Sequence, residues 1–583
     1  MEGSLKPGAV PKINNNPIMK PVRASLEVTI MKNVLSLALL FVFASAAHAG
    51  GKIKPQNWNE CYRNLAAEFT ADGFPVRYEC AQVNVPLDYD RANGPVISLA
   101  VVRIPASHPE VYRGSLFLNP GGPGGSGVDF ALFFGPLAPL FFQQSGTQYD
   151  IVGFDPRGIG RSTALKCFGN EKQSVQVFAP VPFPEVAAEV PFFEAGDNLL
   201  NDQCSTRGNK IVDHMSTANV ARDLEYMRQA FGDNQLNFLG LSYGSYLGQT
   251  YANLFPETVG ALIIDGVLDP IAWANVSSDV PFSTALRSDL GAEATLAEFL
   301  RQCEEAGFTL CSLAPNAEDR FNAVLARLQT APIPIVDPGT GDIFEYRRSF
   351  FVADLLGALY NPSNFPLIAD FVAFLESIPS PAALGLARRD FLAAPGFVNK
   401  RGFPNYENFA EGFPAVACED SQNPGGGHPT WFDVGQAALA DAPVFGEIWT
   451  WGSSPCAVWS NFDNDVYRGP YDAMTANPVL IIGNLYDPAT RYEGAVAARG
   501  LLPNSGLLTV DDPGHTSLGL NFCAAAVTDI YLQDTSFADL VDGGICPSSG
   551  NWFAIASPAA SAEGMSIDAR FRARMMSEIA FRP

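Results

Sequence analysis

Leu236-Asn237-Phe238-Leu239-Gly240-Leu241-Ser242-Tyr243-Gly244 is the stretch on which the fold turns. Leu236 to Leu239 is an apolar run that reads as a buried strand. Tyr246, Leu247, Tyr251, Ala252 and Phe255 continue beyond it at helical spacing. A G-x-S-x-G turn between strand and helix lifts a serine oxygen clear of the backbone. The hydroxyl is a weak nucleophile until a base takes its proton. Gly240 and Gly244 fit a turn so tight that neighbouring backbone leaves no room for a Cβ. The five-residue pattern alone recurs by chance, but strand, turn and helix in that order make it specific.

The base and its orienting acid should follow in the order Ser, Asp, His. Pro478 to Gly483 is a short β-branched run that reads as a buried strand, and Asp487 stands just past its end. Gly506 to Val510 is the next strand, followed by Asp511-Asp512-Pro513-Gly514-His515-Thr516. Groups beyond the carboxyl ends of parallel strands share one edge of the sheet, where open α/β sheets bind ligands. Ser242, Asp487 and His515 are therefore the expected nucleophile, acid and base. An Asp before Pro is also a common turn former, so Asp511 and Asp512 stay open as alternative acids. Of the other histidines, His48 lies in a segment expected to be removed, and His108 and His214 precede the candidate acid. His428, in Gly425-Gly426-Gly427-His428-Pro429, reads as a loop residue. The strand Ser115 to Asn119 runs into Pro120-Gly121-Gly122-Pro123-Gly124-Gly125-Ser126-Gly127, where bare backbone can approach a ligand. The N–H groups of Gly122 and Tyr243 are the expected oxyanion donors.

Around these motifs the chain alternates strands and helices, which implies an α/β fold with a mostly parallel sheet covered on both faces. Gln82 to Leu87 and Val96 to Arg103 read as a hairpin at the sheet edge. Further strands are expected at Leu116 to Asn119, Asp150 to Phe154 and Ala261 to Asp265, with an amphipathic helix over Thr217 to Phe231. From about Pro281 to Tyr467 the alternation stops. Helices are expected at Thr295 to Ala306, Asp319 to Leu328 and Phe350 to Ser377, with breaks at Pro362 and Pro366. This reads as a mainly helical cap that covers the site and restricts entry. Its aromatics (Phe403, Tyr406, Phe409, Phe413, Trp431, Phe432, Trp449, Trp451, Trp459) are candidates to line a pocket or to form core. The expected organisation is an upstream extension (1–30), an export signal (31–49), the first part of the core (50–280), the cap (281–467) and the second part of the core (468–583).

Val34 to Ala44 is the one strongly apolar segment near an end and is too short to span a bilayer. It follows Met31-Lys32 and precedes Ala47-His48-Ala49, a small-x-small cleavage site, so Gly50 is the expected mature start. A secreted or periplasmic location follows, with no stable membrane association after cleavage. The formal charge is −24. Removing residues 1–49 takes away five cations and two anions and leaves −27, which disfavours nucleic acid as a partner. Ten cysteines, all after the signal, form an even set suited to an oxidising compartment. Pairing neighbours in sequence gives Cys61–Cys80, Cys167–Cys204, Cys303–Cys311, Cys418–Cys456 and Cys523–Cys546. No C-x-x-C occurs and the cysteines do not cluster with histidine, so zinc is not expected. A Ser-Asp-His site needs no metal or cofactor, and none is expected.

Taken together, these residues resemble the α/β-hydrolase serine peptidases that include proline iminopeptidases and secreted tripeptidyl aminopeptidases. The likeness rests on Asn119 to Gly127, Asp155-Pro156-Arg157-Gly158-Ile159-Gly160-Arg161-Ser162, and Thr217 through Asp223 to Arg228. It continues through Gly240 to Gly244, Asp265-Gly266-Val267-Leu268-Asp269-Pro270, Asp487-Pro488-Ala489-Thr490 and Gly514-His515. Proline iminopeptidases open the oxyanion loop with His where this chain has Asn119-Pro120, which favours the tripeptidyl type. The resemblance implies a serine exopeptidase acting on peptides with a free N-terminus, whose α-ammonium is gripped by cap carboxylates; Glu419 and Asp420 are the candidates. The same triad would also serve a carboxylesterase or lipase, and a non-catalytic binding protein on this scaffold is the remaining alternative.

Overall fold

The computed structural model describes residues 57–91, 93–336, 343–378 and 408–556. The extension and export signal, together with Phe403, Tyr406 and the Phe409 side chain, lie outside the described residues. Twelve strands are named here in chain order: β1 (Asn59–Cys61), β2 (Tyr78–Pro86), β3 (Val96–Ile104), β4 (Ser115–Asn119), β5 (Asp150–Phe154), β6 (Leu236–Leu241), β7 (Val259–Asp265), β8 (Ile333–Val336), β9 (Ile343–Tyr346), β10 (Val479–Tyr486), β11 (Ser505–Pro513) and β12 (Gly544–Cys546). Ten of them form one sheet in the order β1-β2-β3-β5-β4-β6-β7-β10-β11-β12. From β5 to β12 every neighbouring pair is parallel, and the antiparallel pairs gather at the β1–β3 end.

Every residue of β4, β5 and β7 is buried, as expected where helices cover both faces of a parallel sheet. The two-residue period sorts their side chains. Phe238, Leu262, Ile264 and Ile481 face one way, against Val220, Leu224, Tyr246 and Tyr251 of helices Thr217–Phe231 and Tyr243–Leu254. Leu239, Ala261, Ile263 and Leu480 face the other way, against Ala131 and Phe134 of helix Gly127–Phe134 and Tyr531 of helix Phe522–Gln533. Helix Thr217–Phe231 begins at an N-cap serine, Ser216, which accepts the Asn219 N–H. It ends at Gly232 in the left-handed region, a regular capped helix.

Between β7 and β10 the described residues add no strand to this sheet. Helices Ser288–Ala306, Ala317–Thr330, Arg348–Leu359, Phe365–Ser377, Phe409–Asp420 and His428–Ala438 dominate there. They enclose a second core containing Phe299, Phe321, Phe365, Trp431 and Trp451. Val181 and Phe183, from the connection between β5 and β6, join that core. Trp431 and Trp451 are thus packing residues rather than pocket lining.

The structure departs from the sequence reading in several places. The cap contains an antiparallel hairpin, β8–β9, between the helices expected at Asp319 to Leu328 and Phe350 to Ser377, where the sequence reading places no strand. Ile333-Pro334-Ile335-Val336 is β-branched, but its proline and the Asp337-Pro338-Gly339 beside it mask the pattern. The Phe350–Ser377 stretch breaks at Pro362 but not at Pro366, which sits in the first turn of its helix, where a missing N–H costs nothing. The β2–β3 hairpin lies one strand in from the edge, because β1 pairs outside it.

Five disulfides join Cys61–Cys80, Cys167–Cys204, Cys303–Cys311, Cys418–Cys456 and Cys523–Cys546. Such bonds persist in oxidising compartments. Among the described residues, no helix is long and apolar enough to cross a membrane.

One buried ion pair ties three parts of the core together. Arg157, on the loop after β5, meets both oxygens of Asp223 at 2.8 and 2.7 Å, and both side chains are fully buried. Its remaining donors reach the carbonyls of Pro86, Leu87 and His214. Asp223 also accepts the Tyr89 hydroxyl at 2.8 Å. Removing one partner leaves the other charge buried and unpaired, which is strongly destabilising. Asp223→Ala is expected to cost about 3–5 kcal/mol, read as a lowered midpoint in chemical denaturation.

Candidate active site

Ser242 stands alone between the last residue of β6 and the first residue of helix Tyr243–Leu254, at φ 56° and ψ −124°. A non-glycine residue there costs about 1–3 kcal/mol, and such strain persists only where its surroundings over-determine it. Here they do. The Ser242 N–H donates to the Asp265 carbonyl at 2.9 Å, and the Ser245 N–H returns to the Ser242 carbonyl at 2.8 Å. A Cβ on Gly240 would lie 2.2 Å from the Gly244 oxygen, and one on Gly244 would lie 2.8 Å from the Asn119 oxygen. On Gly121, at φ +101°, it would lie 2.6 Å from the Leu241 oxygen and 2.8 Å from the Ser242 Cβ. The glycine loop after β4 is therefore laid directly against the serine. As the first residue of its helix, Tyr243 has an N–H with no carbonyl partner inside the helix, and Gly122 follows Gly121 in that loop at φ +110°.

Asp487 follows β10 and is buried. Its Oδ1 accepts the Ala489 and Thr490 N–H groups, both at 2.8 Å. Its Oδ2 accepts the Thr490 hydroxyl at 2.9 Å and the Thr516 N–H at 3.1 Å. His515 Nδ1 lies 2.9 and 3.0 Å from the two oxygens. Burial alone would raise the carboxyl's pKa. The His515 charge, its hydrogen bond and the backbone donors outweigh that and hold Asp487 below the usual carboxylate range. An ionised carboxylate only accepts, so Nδ1 carries the proton and Nε2 is left as the basic nitrogen.

The loop that carries His515 is pinned on several sides. The His515 N–H donates to the Tyr360 carbonyl at 2.9 Å, and the Gly514 N–H to the Tyr486 carbonyl at 3.0 Å. Asn484 Nδ2 donates to the carbonyls of Gly514 and Thr516. The Tyr360 ring meets the imidazole edge-on, with centroids 4.9 Å apart. The imidazole Cε1 lies 3.4 Å from where a Cβ on Gly266 would stand, and Gly266 is next to the residue whose carbonyl holds Ser242.

The sequence left two other acids open for this histidine. Asp512 accepts from Asn521, Ser548, Ser549 and Trp552 instead. Asp511 lies in β11, and its charged neighbours are Asp512, Glu298 and Arg301. His428 is not a loop residue: it opens helix His428–Ala438, is buried, and meets Asp197 at 2.8 Å.

Glu419 and Asp420 end helix Phe409–Asp420 and are both buried. Asp420 accepts the Thr217 N–H at 2.9 Å, the Thr217 hydroxyl at 2.5 Å and the Trp273 indole at 3.2 Å. The Thr217 hydroxyl in turn meets the Tyr243 hydroxyl, so Asp420 is linked to the residue after Ser242. Glu419 accepts the Met215 N–H through one oxygen, and its Oε1 is buried without a partner among the described residues. Burial raises both acids, Asp420 to about 7, and the Asp463 charge adds to the rise at Glu419. His214, Asp463 and Asp465 bring ligand atoms within 4.8 Å of one another, but Asp463 already takes the Ser216 N–H and the Asn219 amide at the start of helix Thr217–Phe231.

The sequence reading assigned no role to four residues that shape this edge: Thr490 and Asp265, quoted only within longer motifs, and Tyr360 and Ser517, not quoted at all. Thr490 lies three residues after Asp487, within reach of an Asx turn, and Asp265 is a carboxylate ending an apolar strand. Both carried a readable signal; Tyr360 and Ser517 carried none.

Residues 114–289 match the family model described as alpha/beta hydrolase fold, and residues 442–545 match that of TAP-like protein. A tripeptidyl aminopeptidase of Streptomyces coelicolor is 30% identical over 84% of this chain and 85% of its own length. Serine protease Hip1 of Mycobacterium tuberculosis is 28% identical over 85% of this chain and 90% of its own. Carboxylesterase B of the same species is 29% identical over 82% and 88%.

The raised acids carry a stability signature. Asp420 in the fold keeps its proton up to about 7, whereas its ordinary value is 3.8. The stability it contributes is whole below 3.8 and is lost as pH rises through about 7. Asp420→Asn is expected to flatten the pH dependence of unfolding free energy across that window. The change should approach about 1.4 kcal/mol per pH unit where the proton binds only the fold, measured by chemical denaturation at a series of pH values.

Proposed function

The chain belongs to the TAP-like family of α/β hydrolases, and from that footing we propose an exopeptidase that cleaves peptide bonds near a free N-terminus, releasing short peptides such as tripeptides. The observation that carries the reading is the 30% identity to a tripeptidyl aminopeptidase over 84% of the chain, with His515 Nδ1 held on the ionised Asp487. Ser242 Oγ attacks the scissile carbonyl while His515 Nε2 takes its proton. The Gly122 and Tyr243 N–H groups receive the developing oxyanion. His515 then passes the proton to the leaving amine as the C–N bond breaks, leaving an acyl-enzyme on Ser242. Water, deprotonated by the same nitrogen, releases the peptide acid and restores the serine. Asp487 keeps the imidazole in the correct tautomer and stabilises its charged form throughout.

Glu419 is the proposed ligand for the substrate ammonium, because one of its buried oxygens has no partner among the described residues. Asp420 supports it from beside, engaged with Thr217 and Trp273. A second reading, a carboxylesterase on the same triad, draws on the 29% identity to carboxylesterase B. A triad alone does not separate amide from ester cleavage, so substrate is the test.

Two fluorogenic tripeptide amides, alike except that one is N-acetylated, separate these readings. Cleavage of the free peptide alone is expected, with Glu419→Gln raising KM for it. Equal cleavage of both would remove the ammonium grip, and turnover of p-nitrophenyl butyrate with neither peptide cleaved would favour the esterase. Ser242→Ala is expected to fold normally and to lose on the order of 10³-fold or more in kcat; retained activity would sink the mechanism.

A further inference from the structure

Asp265 ends β7 at the carboxyl edge of the sheet and is buried. It belongs to none of the groups that carry out the proposed reaction, yet it touches both halves of the site. Its backbone carbonyl accepts the Ser242 N–H at 2.9 Å. Its carboxylate accepts the Ser517 N–H at 2.9 Å on both oxygens, the Ser517 hydroxyl at 2.8 Å and the Leu518 N–H at 3.1 Å. Ser517 is two residues past His515. Thus one residue holds the strained serine turn with its main chain and the histidine loop with its side chain.

All the groups converging on this carboxylate are donors. An ionised carboxylate offers only acceptor positions and satisfies them. Protonation turns one oxygen into an O–H and weakens it as an acceptor for the Ser517 and Leu518 N–H groups, which loosens the hold on the loop. The charged groups facing Asp265 come from its neighbours on the sheet: Asp487 after β10 and His515 after β11. Burial is the largest influence on Asp265 and pushes it up, to a net value of about 6. The Ser517 hydrogen bonds pull it down, the Asp487 charge pushes it up, and the His515 charge pulls it down.

We propose that Asp265 is a positioning residue, which in its ionised form fixes the His515 loop relative to Ser242 by gripping Ser517 and Leu518. The inference rests on the serine-hydrolase reading above. It makes the acid limb of activity depend on two groups, the imidazole of His515 and the carboxyl of Asp265. As pH falls through about 6, Asp265 takes up a proton and the loop loosens. kcat should therefore fall with the steepness of two protons rather than one.

The experiment is the pH profile of kcat for tripeptide-amide cleavage by the wild type, Asp265→Asn and Ser517→Ala, with Ser242→Ala as the control. Asp265→Asn is expected to lose about 10²-fold in kcat, as for a misplacement on the order of 1 Å, with KM nearly unchanged. Its acid limb should drop to one proton. Ser517→Ala removes a bond that favours the carboxylate, so its limb should move to higher pH with a roughly threefold loss in kcat. This second variant keeps the two backbone donors and serves if Asp265→Asn does not fold. A one-proton limb in the wild type would overturn the proposal. So would unchanged kcat and limb in Asp265→Asn, or an unmoved limb in Ser517→Ala. Activity retained by Ser242→Ala would instead overturn the underlying mechanism, whatever Asp265 does.

Discussion

A single backbone conformation at Ser242 organises this protein. An L-residue at φ 56° and ψ −124° does not hold that geometry unaided. The turn needs a strand before it, a helix after it, and neighbours that come closer than any Cβ would allow. Gly240 and Gly244 face one another across the turn, and Gly121 closes it from the adjacent loop. That approach requires β4 beside β6, with the glycine loop leaving β4 at the same edge. The pairing of β6 with β7 supplies the carbonyl that holds the Ser242 N–H. The central sheet order is thus the set of neighbours that one strained residue requires.

The acidic character of the chain is organised inside as well as outside. Asp223 neutralises a buried guanidinium, and Asp487 is ionised in the interior because an imidazole and four other donors meet it. Among the described residues no basic side chain hydrogen-bonds the carboxylate of Asp265 or Asp420; both carboxylates rely on N–H and O–H donors, and burial pushes both upward. Carboxylates of one sequence type are separated into ionised and protonatable forms by what surrounds them. The strongly held one orients the base, and the weakly held ones brace the elements around it.

The parts legible in the sequence have a common physical cause. Fully buried parallel strands such as β4, β5 and β7 are continuous apolar runs, and the groups that matter sit just beyond their ends. Asp487 and His515 could be read because each follows such a run. β1 and β12 are three residues long and contain glutamate or glycine, so they carry no period to detect. β8 is interrupted by Pro334. The part played by Tyr360 was illegible because its carbonyl and ring reach His515 across 155 residues of chain, through packing that no local pattern encodes. His428 misled for a related reason. Three glycines before it signal a loop, while its burial depends on Asp197 and Trp451, which lie elsewhere in the sequence.

The disulfides are all local. Their sequence separations run from 8 to 38 residues, and no bond encloses or crosses another. A chain threaded from its N-terminus into an oxidising space would meet its cysteines already in partner order. At each moment at most one thiol waits, and the next to arrive is its mate. Correct connectivity then needs neither a choice among partners nor a later reshuffling, because the direction of travel does the sorting.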